Sequence, residues 1–289
     1  MEYLERRRAR IEDRLAEVLD GVEPSALAEQ VRHVSLSGGK RVRPTVTVLA
    51  CEAAGGDPGL EGDTEGTALD FAVGVELVHN ASLVVDDIID RAALRRGVTA
   101  AHVEYGHGPA IVASNGLLGE AFALFSADEE AMQAVAEAMV ELGEGEATEL
   151  VDRPTNESEY VDLARRKTGA LFRAAAELGA IAAAADPYTV EAFGRYAEQV
   201  GIAFQIRDDV LDATADAEDL GKPTGQDAEM ERPSLVRITD LTPEEANERA
   251  EARSADALRA LDSASVEGGD SRAMDYLRDL AEFVVVRER

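Results

Sequence analysis

Tryptophan is absent from this 289-residue chain, aromatic side chains make up 4% of it, and Cys51 is its one cysteine. With so few rings, alanine, leucine and valine must fill the core, and that mix favours helices. A single thiol excludes an internal disulfide and fits a reducing cytoplasm; Cys51 itself reads as a small core residue. Lysine is nearly missing too: Lys40, Lys167 and Lys222 are the three, so 26 of the 29 basic residues are arginine. Acidic residues number 58 and the net charge is −29, which excludes the basic face that a nucleic-acid binder needs. The apolar stretches are interrupted by Glu76, His79 and Asn80 or by small polar residues, and none runs uninterrupted for the roughly 20 residues of a membrane span. The opening Met1-Glu2-Tyr3-Leu4-Glu5-Arg6-Arg7-Arg8 has no apolar segment of the secretory kind. A cytoplasmic protein, not integral to a membrane, is expected.

So acidic a surface repels an anionic ligand unless salt screens it, and at about 1 M salt the screening length falls to ~3 Å. Adaptation to a salty cytoplasm is one reading of the balance; an ordinary acidic protein from a GC-rich genome is the other. The 45% apolar content supports a large core. No composition shift, linker or solenoid-period repeat divides the chain, so one domain over 1–289 is expected.

Nearly everything reads as helix. The apolar segment from Thr67 to Asp90 is too long for a strand, and a second long helix is expected over Val190–Asp212. Shorter ones are expected near 3–19, 24–36, 43–54, 109–125, 129–150, 157–182 and 243–261. Thr242-Pro243-Glu244-Glu245 has the capping-box form with proline in the first turn. Strand signals are weak, and the Gly- and Pro-broken region 213–234 reads as a functional loop.

What stands out is a pattern present twice: Asp86-Asp87-Ile88-Ile89-Asp90 and Asp208-Asp209-Val210-Leu211-Asp212. Each closes an apolar helix, and its first and last aspartates, four apart, share one helix face. Glu76, His79, Leu83, Asp86 and Asp90 form one stripe at spacings of three and four, and such polar groups are costly to bury without ligands. Oxygen-only donors on two helices suit Mg2+, so the pentads read as a cation-mediated grip on a polyphosphate. One pentad alone signifies little in so acidic a chain. The three lysines each sit in a motif, where a compact ammonium can reach a phosphate oxygen as a point charge.

Six motifs in order resemble the trans-isoprenyl diphosphate synthases of the polyprenyl synthetase family: Gly-Gly-Lys-Arg-Val-Arg-Pro at 38–44, Glu-Leu-Val-His-Asn-Ala-Ser-Leu at 76–83, the first pentad with Arg95-Arg96-Gly97, Lys-Thr-Gly-Ala-Leu-Phe at 167–172, Phe-Gln-Ile-Arg plus the second pentad at 204–212, and Gly-Lys-Pro-Thr-Gly-Gln-Asp at 221–227. The resemblance runs from about Gly38 to Ser234 and points most closely to a geranylgeranyl diphosphate synthase. It implies an all-α isoprenoid-synthase bundle with a central cavity, a homodimer, and condensation of isopentenyl diphosphate with an allylic prenyl diphosphate. By the same resemblance Lys40, Arg43, His79 and Arg96 hold the isopentenyl diphosphate. Arg95, Lys167 and Lys222 face the allylic diphosphate with Mg2+, about three ions, on Asp86, Asp90 and Asp208. Asp87 and Asp212 are further metal candidates, and like Asp209 they also read as solvated or as backing the ligands. Thr168 and Gln205 offer oxygen dipoles to the allylic cation.

Several positions depart from the pattern. Val85 stands where histidine is common, Asn115 where Gly-Asp is usual, Glu146 and Glu149 occupy a Gln-x-x-Asp-like site, and Arg232 takes the place of a third phosphate-binding lysine. Arg41 reads equally as a structural ion-pair partner. Family product length depends on positions that here are Val78, Ala81 and Ser82; none is aromatic, so products of C20 or longer are expected. A terpene cyclase or head-to-head condensing enzyme on the same fold has less need of the Lys40/Arg43/His79/Arg96 set. A non-catalytic modulatory subunit is disfavoured because both pentads are intact, and an acidic Ca2+-binding module gives the lysine motifs no purpose.

Overall fold

The computed structural model describes residues 2–60, 67–214, 233–264, 266 and 268–286. Its helices are α1 (Glu2–Asp20), α2 (Ser25–Leu36), α3 (Val42–Ala53), α4 (Ala68–Ile89), α5 (Ala101–Glu104), α6 (His107–Phe125), α7 (Glu129–Val151), α8 (Glu157–Ala164), α9 (Ala170–Ala182), α10 (Pro187–Thr214), α11 (Leu235–Ile238), α12 (Pro243–Asp262) and α13 (Ser271–Val286). α4 and α9 are packed side by side with α3, and α10 lies against α9 and α12. Their apolar faces merge into a core in which Phe71, Leu77, Phe172, Leu178, Phe193 and Tyr196 are fully buried. Each such side chain contributes about 1.5–3 kcal/mol on burial, so alanine-rich faces punctuated by a few rings suffice. Cys51 belongs to this core, and burial, with Glu52 and Asp57 nearby, pushes its thiol up to about 12.

The expected long helices and the Thr242 capping box are present; Thr242 accepts from the Glu245 amide while Glu245 accepts from the Thr242 amide. Three expectations need correction. Residues 157–182 are not one helix: a π-helical turn, Arg165–Gly169, separates α8 from α9. A short hairpin is present, with β1 (Leu94–Arg95) antiparallel to β2 (Val98–Thr99). α13 was not foreseen, although Ala273, Leu277, Ala281 and Val284 recur at helical spacing and are buried.

Among the described residues two helices, α4 and α6, are long and apolar enough to cross a membrane by length and composition. α4 is a core helix, with 78% of its most apolar stretch buried, and its buried Asp70 accepts from Arg14 Nε at 2.8 Å. α6 is different, for 33% of the same measure is buried and Ile111 and Val112 are exposed.

Candidate active site

The π turn is the hub. Its three basic residues each take glutamates from α7: Arg165 reaches Glu141 at 2.5 Å, Arg166 reaches Glu144 at 2.5 Å, and Lys167 pairs with Glu149 and, at 2.9 Å, with Glu146. α10 closes in from the other side because Gly201 meets Gly169; a Cβ on Gly201 would lie 2.9 Å from the Gly169 Cα. That approach lets the Thr168 hydroxyl donate to Gln205 Oε1 at 2.9 Å. Burial works to lower the Lys167 pKa, but Glu149 and Glu146 outweigh it, with help from Asp86, and raise the ammonium to about 12. Lys167 thus senses the first pentad while Thr168 is bonded three residues short of the second. A one-residue excess in a helix is a frequent mark of a functional site.

The pentads obey one rule. In each, the second aspartate is turned into the protein: Asp87 and Asp209 are both 3% exposed. Asp87 forms an ion pair with Arg95, including a bond from Nε at 2.8 Å. Asp209 accepts from Tyr160 Oη at 2.6 Å, from Gln205 Nε2 at 3.0 Å and from the Leu235 amide at 3.0 Å. The first and last aspartates, Asp86, Asp90, Asp208 and Asp212, are half-buried. Asp87, expected as a metal candidate or as backing the ligands, is thus paired with Arg95, which was expected beside the allylic diphosphate.

A second cationic group gathers around Glu76. This carboxylate, 1% exposed, accepts from Arg41 Nη1 at 2.6 Å and lies 3.8 Å from Arg96 Nη2. Arg41 also donates to the Ser35 carbonyl, so it is structural, and breaking such a buried pair costs about 3–5 kcal/mol. Arg96 occupies the hairpin turn with Gly97, both at positive φ, 52° and 83°. A two-residue hairpin turn of type I′ requires positive φ at both of its central residues. Arg96 Nη1 donates to the Gly38 carbonyl at 2.8 Å, and a Cβ on Gly39, at φ 132°, would come within 3.0 Å of the Arg96 Cζ. The glycine pair before Lys40 lets that guanidinium lie against backbone. Arg43, stacked 4.5 Å over Phe172, places Nη1 3.2 Å from His79 Nε2. Burial first, then Arg96, brings Arg43 down to about 10 despite Glu76, and burial with Arg43 and Arg96 holds His79 well below its ordinary value. Lys40 is exposed beside this group, in the segment between α2 and α3.

Val78 and Ala81 are buried on α4, while Ser82 bonds its own helix at the His79 carbonyl. Lys222 and Arg232 lie outside the described residues. Sequence reasoning missed Tyr160, for which no signal existed, and it did not foresee that Glu146 and Glu149 would grip Lys167.

A family profile described as polyprenyl synthetase matches residues 24–266. The chain belongs to the polyprenyl synthetase family. It is 35% identical over 248 residues to the geranylgeranyl diphosphate synthase of Methanosarcina mazei, covering 82% of this chain and 74% of that one. The solved geranylgeranyl pyrophosphate synthetase of Pyrococcus horikoshii superposes with a TM-score of 0.87 at 32% identity, covering 99% and 98% of the two chains. A polyprenyl synthase of Caulobacter crescentus, crystallised with calcium and isoprenyl diphosphate, superposes with a TM-score of 0.84 at 26% identity, covering 99% and 98%. This synthetase is accordingly a trans-prenyl diphosphate synthase, of a family that works with divalent cations. Its donors fit such ions. Asp86 and Asp90 on the first pentad and Asp208 and Asp212 on the second are half-buried carboxylates, the oxygen donors that Mg2+ takes together with substrate phosphates.

Proposed function

We propose that this enzyme joins isopentenyl diphosphate head-to-tail to an allylic prenyl diphosphate, with Mg2+ as its cation and geranylgeranyl diphosphate as its product. The observation that carries the reading is the second cationic group. A cyclase ionises one diphosphate; Arg43, His79 and Arg96, gathered with Glu76 near Lys40, suit another.

Asp86, Asp90, Asp208 and Asp212 would hold the ions, which supply charge neutralisation to the departing diphosphate. Lys167 exchanges its glutamate partners for a phosphate oxygen of the allylic substrate. Gln205 Oε1 and the Thr168 oxygen face the carbon that becomes cationic when its bond to oxygen breaks. The double bond of isopentenyl diphosphate, oriented by Arg43, His79 and Arg96, forms the new carbon–carbon bond there. The proton then lost goes to the released diphosphate. Incubation with Mg2+, isopentenyl diphosphate and each allylic starter, followed by product sizing, tests the reaction. Cleavage of the allylic substrate without elongation would favour the cyclase reading instead.

Product length is supported by what lies below the small residues Val78 and Ala81. One turn before Val78, at Gly74, α4 meets Phe125 of α6, which is fully buried beside Phe71 with ring centroids 5.9 Å apart. It fills the space a side chain on Gly74 would need, since a Cβ there would lie 2.4 Å from its Cζ. Gly74 precedes Asp86 by twelve residues, about 18 Å along the helix, a depth suited to four prenyl units.

A homodimer is supported by α6, whose one Asp, Glu, Lys or Arg is Glu120 and whose outer face exposes Ile111 and Val112. In a chain of net charge −29 this face is where a second copy meets least repulsion. The same charge supports a cytoplasm rich in salt, so kcat/KM should rise with KCl towards about 1 M, where screening is nearly complete; a steady fall would count against it.

A further inference from the structure

We propose that Asp209 and Tyr160 are a positioning pair that fixes which end of the Gln205 amide faces the substrate. The inference rests on the condensation reading above. Asp209 sits inside the protein, and its described donors are Tyr160 Oη and the Leu235 amide on Oδ2 and Gln205 Nε2 on Oδ1. A carboxylate so surrounded acts as an acceptor, so Gln205 must offer it the NH2 end. The carbonyl end then points the other way, and there it accepts the Thr168 hydroxyl. An amide oxygen has two lone pairs, and one remains for the allylic carbon.

The orientation matters because the two ends of an amide have opposite polarity. Reversed, Gln205 would aim N–H groups at a developing cation and oppose its formation. Tyr160 is 1% exposed and belongs to α8, before the π turn, whereas Asp209 belongs to α10. Their 2.6 Å bond therefore ties α8, which leads straight into the turn carrying Lys167 and Thr168, to the helix carrying Gln205. The pair touches no reacting atom and acts through Gln205.

Asp209→Asn tests this directly. The isosteric amide can keep its oxygen on Tyr160 and present NH2 to Gln205, which then has to turn its own oxygen inward and its NH2 toward the site. We expect kcat to fall roughly 10- to 100-fold, less than the ~10²–10³ lost when an oriented dipole is removed outright, with KM for both diphosphates within about threefold of the parent. Adding Gln205→Glu to Asp209→Asn puts a carboxylate oxygen at the site in either orientation and should restore much of kcat. A purely structural role would give no such rescue. If Asp209→Asn does not fold, Tyr160→Phe carries the test, with a kcat loss of about three- to tenfold and unchanged KM. An active parent whose Asp209→Asn variant keeps its kcat, or loses kcat with no recovery in the double variant, overturns the positioning role alone. A parent that makes no elongated product from isopentenyl diphosphate removes the condensation reading, and this one with it.

Discussion

Arg43 Nη1 lies 3.2 Å from His79 Nε2, and the ring can accept that hydrogen bond only while this nitrogen is unprotonated. Burial, Arg43 and Arg96 all favour the neutral ring and hold its pKa well down. In the unfolded chain the same histidine takes up a proton near pH 6.5. The unfolded state therefore binds more protons between that pH and the lower folded value, and stability contributed by His79 is present above pH 6.5 and lost as the pH falls through this window. Urea denaturation from pH 7.5 to 5 should show a steeper acid loss in the parent than in His79→Gln. Parallel curves would rule out this role for the ring.

Asp86→Ala and Asp208→Ala should each lower turnover by about 10³-fold, at the upper end of what one lost electrostatic stabiliser costs, with circular dichroism unchanged. Asp87→Ala should behave differently. It strands the Arg95 guanidinium, so its first effect is a loss of thermal stability, of about 1–3 kcal/mol for a partly exposed partner. Equal kinetic losses at Asp86 and Asp87 would refute the division of labour within the pentad.

Chain length offers a paired test. Ala81→Phe should stop elongation early and give C15 or shorter. Phe125→Leu should open the space beside Gly74 and give products beyond C20. Phe125→Ala is the less safe variant, since emptying a buried ring site costs about 3–5 kcal/mol. Mass spectrometry of the extracted products decides; an unaltered product from Phe125→Leu would remove Phe125 from the floor.

Charge placed on the outer face of α6 should separate the copies. Ile111→Glu or Val112→Glu, both at exposed positions, is expected to convert a dimer to monomer in sedimentation velocity at fixed protein concentration. A parent that sediments as a monomer, or a variant that remains dimeric, would assign the apolar face to something else.

The parts that sequence reading recovered are those that local chemistry decides. The helices of α4 and α10 follow from long segments rich in apolar residues, the α12 start from Thr242 and Glu245, and the shared face of Asp86 and Asp90 from their spacing. What it missed depends on distant partners. Nothing near Asp209 distinguishes it from Asp208; the difference is made by Tyr160, 49 residues earlier, and by the Leu235 amide. The hairpin was invisible because each strand has two residues, too few for an alternating pattern. The π turn was invisible because residues 157–182 keep a helical composition throughout.

That extra residue has a consequence for the register of the whole segment. Excising any one position between Arg165 and Gly169 would leave a plain α-helix and rotate everything upstream by about 100° relative to α9. The Tyr160 hydroxyl would swing off Asp209, and the basic triplet would slip out of phase with the glutamates of α7. The segment can thus be shortened nowhere without uncoupling its two pentads.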